Sequence, residues 1–221
     1  MSRRPKKNCI LSRGIFAAWI PIATFREPQL VPGVVKNMNR LSNEEAVSKL
    51  KALLRNDGVD TAISFLNGLT KYRFTALYYF SGETLRNIYF YDREHPALAV
   101  APPDIAVADS YCAFIRSSGQ AFGTPDSLHD ERLRDHPNRC DQRSFCGAPL
   151  TGSDGPAFGA ICHFDNTPVE ITLGDVRLLE RVGRLLGENS PWQLPSEALM
   201  ERVAASAYFR PHTYSLGHSI R

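Results

Sequence analysis

Hydrophobic and polar positions along this chain recur first at helical spacing and then at strand spacing. Over Ser42–Asn56, the residues Ala46, Val47, Leu50, Leu53 and Leu54 form an apolar stripe, and Ser42 followed by Glu45 has the pattern of a capping box. Asp57–Gly58 ends that helix. A shorter helix is predicted from Asp60 to Leu66, with Gly68 as its stop. The run YRFTALYYFSGETLRNIYFYD then turns β-rich and predicts two aromatic strands joined by a tight reversal at Ser81–Gly82. A long connection held stiff by Pro96, Pro102 and Pro103 follows. Asp109 or Ser110 caps a predicted helix, SYCAFIRSSG, which Gly119 terminates. A short strand around Ala121–Thr124 leads into SLHDERLRDHPNRCDQ, which is polar and loop-like or weakly helical. Further on, LGDVRLLERVGRLLGE carries Val176, Leu179, Val182, Leu185 and Leu186 on one face of an amphipathic helix.

The chain is organised around Gln142–Asp165, where two apolar runs flank TGSDG. The Gly, Ser and Asp of that linker suit a tight reversal, which predicts a β-hairpin. Alternate strand residues point to opposite sides. One side carries Arg143, Phe145 and Gly147 with Phe158, Ala160, Cys162 and Phe164. The other carries Ser144, Cys146 and Ala148 with Gly159, Ile161, His163 and Asp165. Neither side is polar, so both are expected to be covered, as in the middle of a sheet. Pro149 lacks a ladder donor and is expected where its strand leaves the sheet. His163 and Asp165 share a strand face and are candidates to hydrogen-bond each other at the sheet end, the arrangement of a metal ligand or general base being the other reading.

This ordered set resembles a GAF domain. The parts that carry the resemblance are SFCGAPL, a polar turn, FGAICHFD, the helix after it, and the aromatic strands and SYCAFIRSSGQAF before it. It covers roughly residues 41–188. It implies an α+β fold, an antiparallel sheet with the terminal helices on one face and a helix and loop lid over a pocket on the other. The chain then divides into a basic, disordered N-terminal extension (1–40), the GAF-like domain (41–190), and a short helix, PSEALMERVAASAYF, with a tail (191–221).

Composition refines this picture. A chain of 221 residues at 43% hydrophobic can bury one sizeable core. The net charge of +3 conceals an asymmetry, since residues 1–40 hold eight Lys/Arg and one Glu while the remainder has 18 basic and 22 acidic residues. The mildly acidic body argues against a nucleic-acid partner. Three readings stay open for the start: a signal peptide, a basic amphipathic arm, or an upstream extension with the functional start near Met38. Five cysteines without CxxC spacing point to no metal centre and no disulfide scaffold, hence to a cytoplasmic setting. No apolar run is long enough to predict a membrane span.

The resemblance places a pocket between the sheet and the SYCAF helix. Tyr78, Phe80, Tyr111, Cys112, Phe114, Arg139, Cys140, Phe145, Cys162 and Phe164 are the side chains expected to reach it. That lining is apolar and aromatic with few polar anchors, the makeup of a small-molecule site that needs no cofactor or metal. Three functions follow as expectations. The first is a sensory domain that binds a small organic ligand and signals through its helical face to a second copy or a separate signalling protein. Residues outside 41–188 are too few for an output domain of their own. The second is a free methionine-R-sulfoxide reductase, a subset of the family, with Cys112 and Cys140 as its thiols and His136 matching a family histidine. The third is a dimerisation module without ligand. The acidic residues that hold the methionine amine in those reductases fall here on Phe145, Cys162 and Phe164. The charge run Asp130, Glu131, Arg132, Arg134 and Asp135 is expected to be a solvated lid surface.

Overall fold

The computed structural model describes residues 41–96, 102–152 and 155–188. The readings of residues 1–40 and 189–221 therefore lie outside the described residues. Among the described residues there are four α-helices: α1 (Asn43–Asn56), α2 (Gly58–Gly68), α3 (Cys112–Ser118) and α4 (Leu173–Glu188). Six strands, β1 (Phe74–Ser81), β2 (Thr84–Asp92), β3 (Ile105–Ala106), β4 (Phe122–Thr124), β5 (Ser144–Leu150) and β6 (Gly159–Asp165), form one antiparallel sheet in the order β3-β2-β1-β6-β5-β4.

Local chemistry sets most element ends. Ser42 accepts from the Glu45 N–H while the Glu45 carboxylate accepts from the Ser42 N–H, so the expected capping box opens α1. The second helix is longer than its predicted Asp60–Leu66 span. Gly58 takes a left-handed φ of 87°, which lets α2 start directly after α1. Gly119, at φ 67°, closes α3 as expected.

The central hairpin lies inside the sheet, with β5 between β6 and β4 and β6 between β1 and β5. Its register, Phe145↔Phe164, Cys146↔His163 and Gly147↔Cys162, sorts the residues onto the two predicted faces. Two expectations fail here. The TGSDG reversal is not tight, because the ladder ends at Leu150↔Gly159 and the connection runs from Thr151 to Phe158. Pro149 does not leave the sheet but pairs with Ala160. It is tolerated because β4 pairs only with Phe145–Gly147, so no neighbour asks Pro149 for a donor. A further feature is the register shift in the β1–β2 pair. Leu77 faces Tyr89 while Tyr78 faces Asn87, which leaves Ile88 as the extra residue of a bulge.

α1, α2 and α4 cover one face of the sheet. Leu50, Ile63, Leu66, Leu179 and Val182 meet Leu77, Cys146, Ala148, Leu150 and Ile161 there. Two glycines set the height of α4. A Cβ on Gly183 would lie 2.4 Å from the Pro149 carbonyl oxygen, and one on Gly187 would lie 1.9 Å from that of Thr151. Gly183→Ala is therefore expected to lower stability by about 1–3 kcal/mol through overpacking, against the ~1 kcal/mol that alanine gains over glycine in a helix. Gly174, in the first turn of α4, has nothing nearer than 3.5 Å to a built Cβ. Gly174→Ala is the control, and urea denaturation showing the two variants equally stable would contradict this seating of the helix.

Candidate functional site

The other face of the sheet carries the candidate site. α3 and the segment Asp126–Gln142 cover it. Tyr78, Tyr111, Cys112, Phe145 and Cys162 are buried together there with Ala76, Leu85, Ile115, Phe122, Leu133 and Ala160, and Phe80, Phe114 and Phe164 pack half-buried against them. Eight of the ten predicted pocket residues thus share one cluster.

The cover is held by a few specific contacts. Tyr111 donates its hydroxyl to the Gln142 carbonyl at 3.0 Å, and its ring meets Phe145 edge-on at 5.6 Å and the His136 ring at 4.5 Å. Burial pushes the Tyr111 hydroxyl up to about 12 and lowers His136, so both are neutral near pH 7. Phe114 stacks on Phe122 at 4.3 Å, and the Arg132 guanidinium lies 4.2 Å from the Phe122 ring centre.

Arg139 and Cys140 stand apart. Arg139 donates to the carbonyls of Leu128 and Arg134, and its own carbonyl accepts from Ser127 Oγ, so it stitches the covering segment to itself. Cys112, Cys146 and Cys162 are free thiols among the described residues. Cys112 is buried in the cluster that also holds Cys162, and Cys140 is not among its residues. Nor is the charge run wholly solvated. Asp130 is 4% exposed and pairs with Arg132 at 2.6 Å, while Arg132 also donates to the Gly123 carbonyl. That pair is built into the cover.

His163 and Asp165 do not meet. His163 Nδ1 lies 2.7 Å from Thr75 Oγ1, which itself accepts from Asn67 Nδ2 at 2.8 Å. Asn67 Oδ1 accepts from Arg93 Nε at 2.8 Å. Tyr72 stacks on the ring, and burial lowers His163 to about 4. Asp165 instead accepts from the backbone N–H groups of Arg73 and Thr167. His163 is thus a structural residue under the helical face. The metal-ligand reading loses its neighbouring carboxylate.

Phe74 and Phe90 were not foreseen as site residues. With Phe164 they form a stack of half-buried rings, with centroids 5.1 Å apart for Phe74–Phe164, 5.6 Å for Phe74–Phe90 and 6.3 Å for Phe90–Phe164. Phe74 was legible from the alternation Phe74, Ala76, Tyr78. Phe90 was not, because the Ile88 bulge shifts the parity of β2 and brings Phe90 to the face of Leu85. The Arg73 guanidinium lies 4.7 Å from the Phe74 ring centre and is matched by Asp92 at 2.7 Å and Glu94 at 2.6 Å. The Arg73 hydrogen bonds hold the Asp92 carboxyl down to about 2. The guanidinium beside the rings is therefore already engaged by two carboxylates.

No protein-family model matches the chain. A cyclic di-GMP phosphodiesterase of Pseudomonas aeruginosa is 33% identical over 82 residues, which span 35% of this chain and 14% of that relative. Among solved structures, the chain is similar to the GAF domain of an Acinetobacter phosphoenolpyruvate-protein phosphotransferase, at 9% identity and a TM-score of 0.53 over 77% of this chain and 98% of that one. The corresponding GAF domain from Coxiella burnetii gives 8%, 0.51, 76% and 97% in the same order. The free methionine-R-sulfoxide reductase of Neisseria meningitidis, solved with its substrate, gives 15%, 0.52, 66% and 86%. At these identities the likeness is one of fold.

Proposed function

We propose, from the premise that this chain has the GAF fold, that it is a sensory or regulatory domain that binds a small organic ligand on the α3 face. The observation that carries this reading is the half-buried stack of Phe74, Phe90 and Phe164 at the border of an otherwise packed core. Rings held at stacking distance offer a planar molecule a face to join. Because Asp92 and Glu94 already match Arg73, shape and ring contact select the ligand more than charge does. Ligand that binds one arrangement of the α3 cover better than another shifts the population between them. α1 and α4, on the far face, are the surface offered to a second copy or a signalling partner. The partial match to a cyclic di-GMP phosphodiesterase supports a regulatory setting. The reductase alternative called for Cys112 and Cys140 as a thiol pair, and Cys140 is not among the residues buried with Cys112.

Native mass spectrometry of protein purified from its own cells is expected to show an added mass of one small molecule. Phe90→Ala with Phe164→Ala is expected to lower its occupancy at least about tenfold, each lost aromatic contact being worth roughly 0.5–1.5 kcal/mol beyond its area. Bare protein from cells, or undiminished occupancy in the double variant, would remove the ring stack from the site.

A further inference from the structure

A cleft of about 280 Å³ lies on the helical side of the molecule, between the loop that ends α2 and the loop that leads into α4. Ligand pockets begin at roughly 300 Å³, so this one suits a small molecule. Lys71, Glu170 and Thr172 are exposed and form its mouth, whereas buried Tyr72 and Val169 form its floor with half-buried Leu69. Both walls are pinned. Thr70 Oγ1 donates to the Asn67 carbonyl and accepts the Tyr72 N–H at 3.2 Å, and the Val169 N–H donates to the Pro125 carbonyl at 3.1 Å. The Tyr72 ring is held by stacking on His163, with ring centres 5.8 Å apart. Yet the Tyr72 hydroxyl, on a residue 2% exposed, has no hydrogen-bond partner among the described residues. Such a group is uncommon in a folded core and is costly until something accepts its proton. Burial, with the charges of Asp175 and Asp165 adding, pushes that hydroxyl above the ordinary phenol range, so it stays protonated and offers a donor.

The residues lining the cleft carry two carboxylates, Glu170 and Asp175, against the one ammonium of Lys71. Asp175 is engaged in the cap of α4, where it accepts from the Thr172 N–H and Oγ1. Arg93 donates to the Asn67 and Thr70 carbonyls and is not a lining residue. An anion would therefore meet an excess of negative charge, and a cation is the better match. We propose that this cleft binds a small amine that also carries a neutral oxygen, such as an amino alcohol. The oxygen accepts from Tyr72 at the floor, the carbon body lies against Leu69 and Val169, and the ammonium meets Glu170 at the mouth. No covalent bond changes; recognition is one hydrogen bond, apolar burial and one ion pair. The cleft lies on the face opposite the ring stack of Phe74, Phe90 and Phe164, so the proposal does not rest on the α3-face reading, and either can fail without the other.

The test is an amide NMR titration of the full chain with three probes of similar size: aminopentanol, n-hexylamine and hydroxypentanoate. The first has both groups, the second lacks the oxygen, and the third replaces the ammonium by a carboxylate. Aminopentanol is expected to give saturable shifts at the amides of Leu69–Tyr72 and Val169–Asp175. It should bind about 2- to 12-fold more tightly than n-hexylamine, the worth of one neutral hydrogen bond, and hydroxypentanoate should give no saturable shift. In Tyr72→Phe the preference for aminopentanol over n-hexylamine disappears while the fold, whose contacts do not use that hydroxyl, is kept. In Glu170→Gln both amines weaken together. Shifts that never saturate, or that fall only on the α3 face, overturn the site. Hydroxypentanoate binding as well as aminopentanol overturns the choice of a cation, and a preference that survives in Tyr72→Phe overturns the contact to the hydroxyl. Should Tyr72→Phe not fold, the comparison of the three probes on the unsubstituted chain and on Glu170→Gln decides.

Discussion

Phe145→Ala is expected to lower the stability of the domain by about 3–5 kcal/mol, the cost of removing a fully buried ring whose neighbours cannot close the space. Phe145 is 1% exposed, meets Tyr111 edge-on, and lies 6.1 Å from Phe122. It also packs beneath Gly147, where a built Cβ would stand 2.7 Å from the Phe145 ring and from Ile115 Cδ1. Because β5 and α3 meet through this ring, its loss leaves a gap that neither element can fill by rotamer change alone. A thermal melt should fall by on the order of 10 °C or more. Leu41→Ala, at a residue 39% exposed, is the matched control and should change almost nothing. A loss below about 1 kcal/mol for Phe145→Ala would mean that the α3 face is not packed as described.

The second large effect is a loss of stability in mild acid that traces to His163. Its imidazole is 3% exposed, and its pKa is lowered from 6.5 to about 4, chiefly by burial. Asp175 raises that value and Arg93 lowers it further. The sign follows from which state holds more protons. Between pH about 6.5 and about 4 the unfolded chain protonates this histidine and the folded chain does not, so stability falls as pH falls through that window. The full contribution, present above pH about 6.5, is about 3 kcal/mol at 1.36 kcal/mol per unit. His163→Gln should begin less stable at neutral pH yet lose less on acidification. Urea titrations of both proteins across the window check this, and parallel curves would sink the assignment.

Much of the architecture was readable from residue patterns, because the pattern and the packing ask for the same thing. The stripe Ala46, Leu50 and Leu54 had one face to bury, and the hairpin Ser144–Asp165 had two. Where the reading failed, the cause was non-local. The pairing of Asp130 with Arg132 beneath Gly123 is invisible in a run of charges, since burial of one charge depends on the carbonyl that receives its partner. His163 and Asp165 share a strand face, but Thr75 on β1 and the Arg73 N–H offered each a better partner. The candidate site was legible for the residues that alternate regularly along β1, β5 and β6. Phe90 escaped because one extra residue, Ile88, reverses the parity of β2. Cys140 was drawn to the site by resemblance to a thiol chemistry, whereas the thiol buried in the cluster with Cys112 is Cys162 of β6.

At Gly183 and Gly187 the backbone of α4 rests against the carbonyls of Pro149 and Thr151 without a side chain between them. Elsewhere in the core, methyl groups and rings act as springs that take up a small displacement by changing rotamer. This junction has no such cushion. A small shift of β5 is therefore expected to be met by the backbone of α4 itself rather than by a side chain changing rotamer.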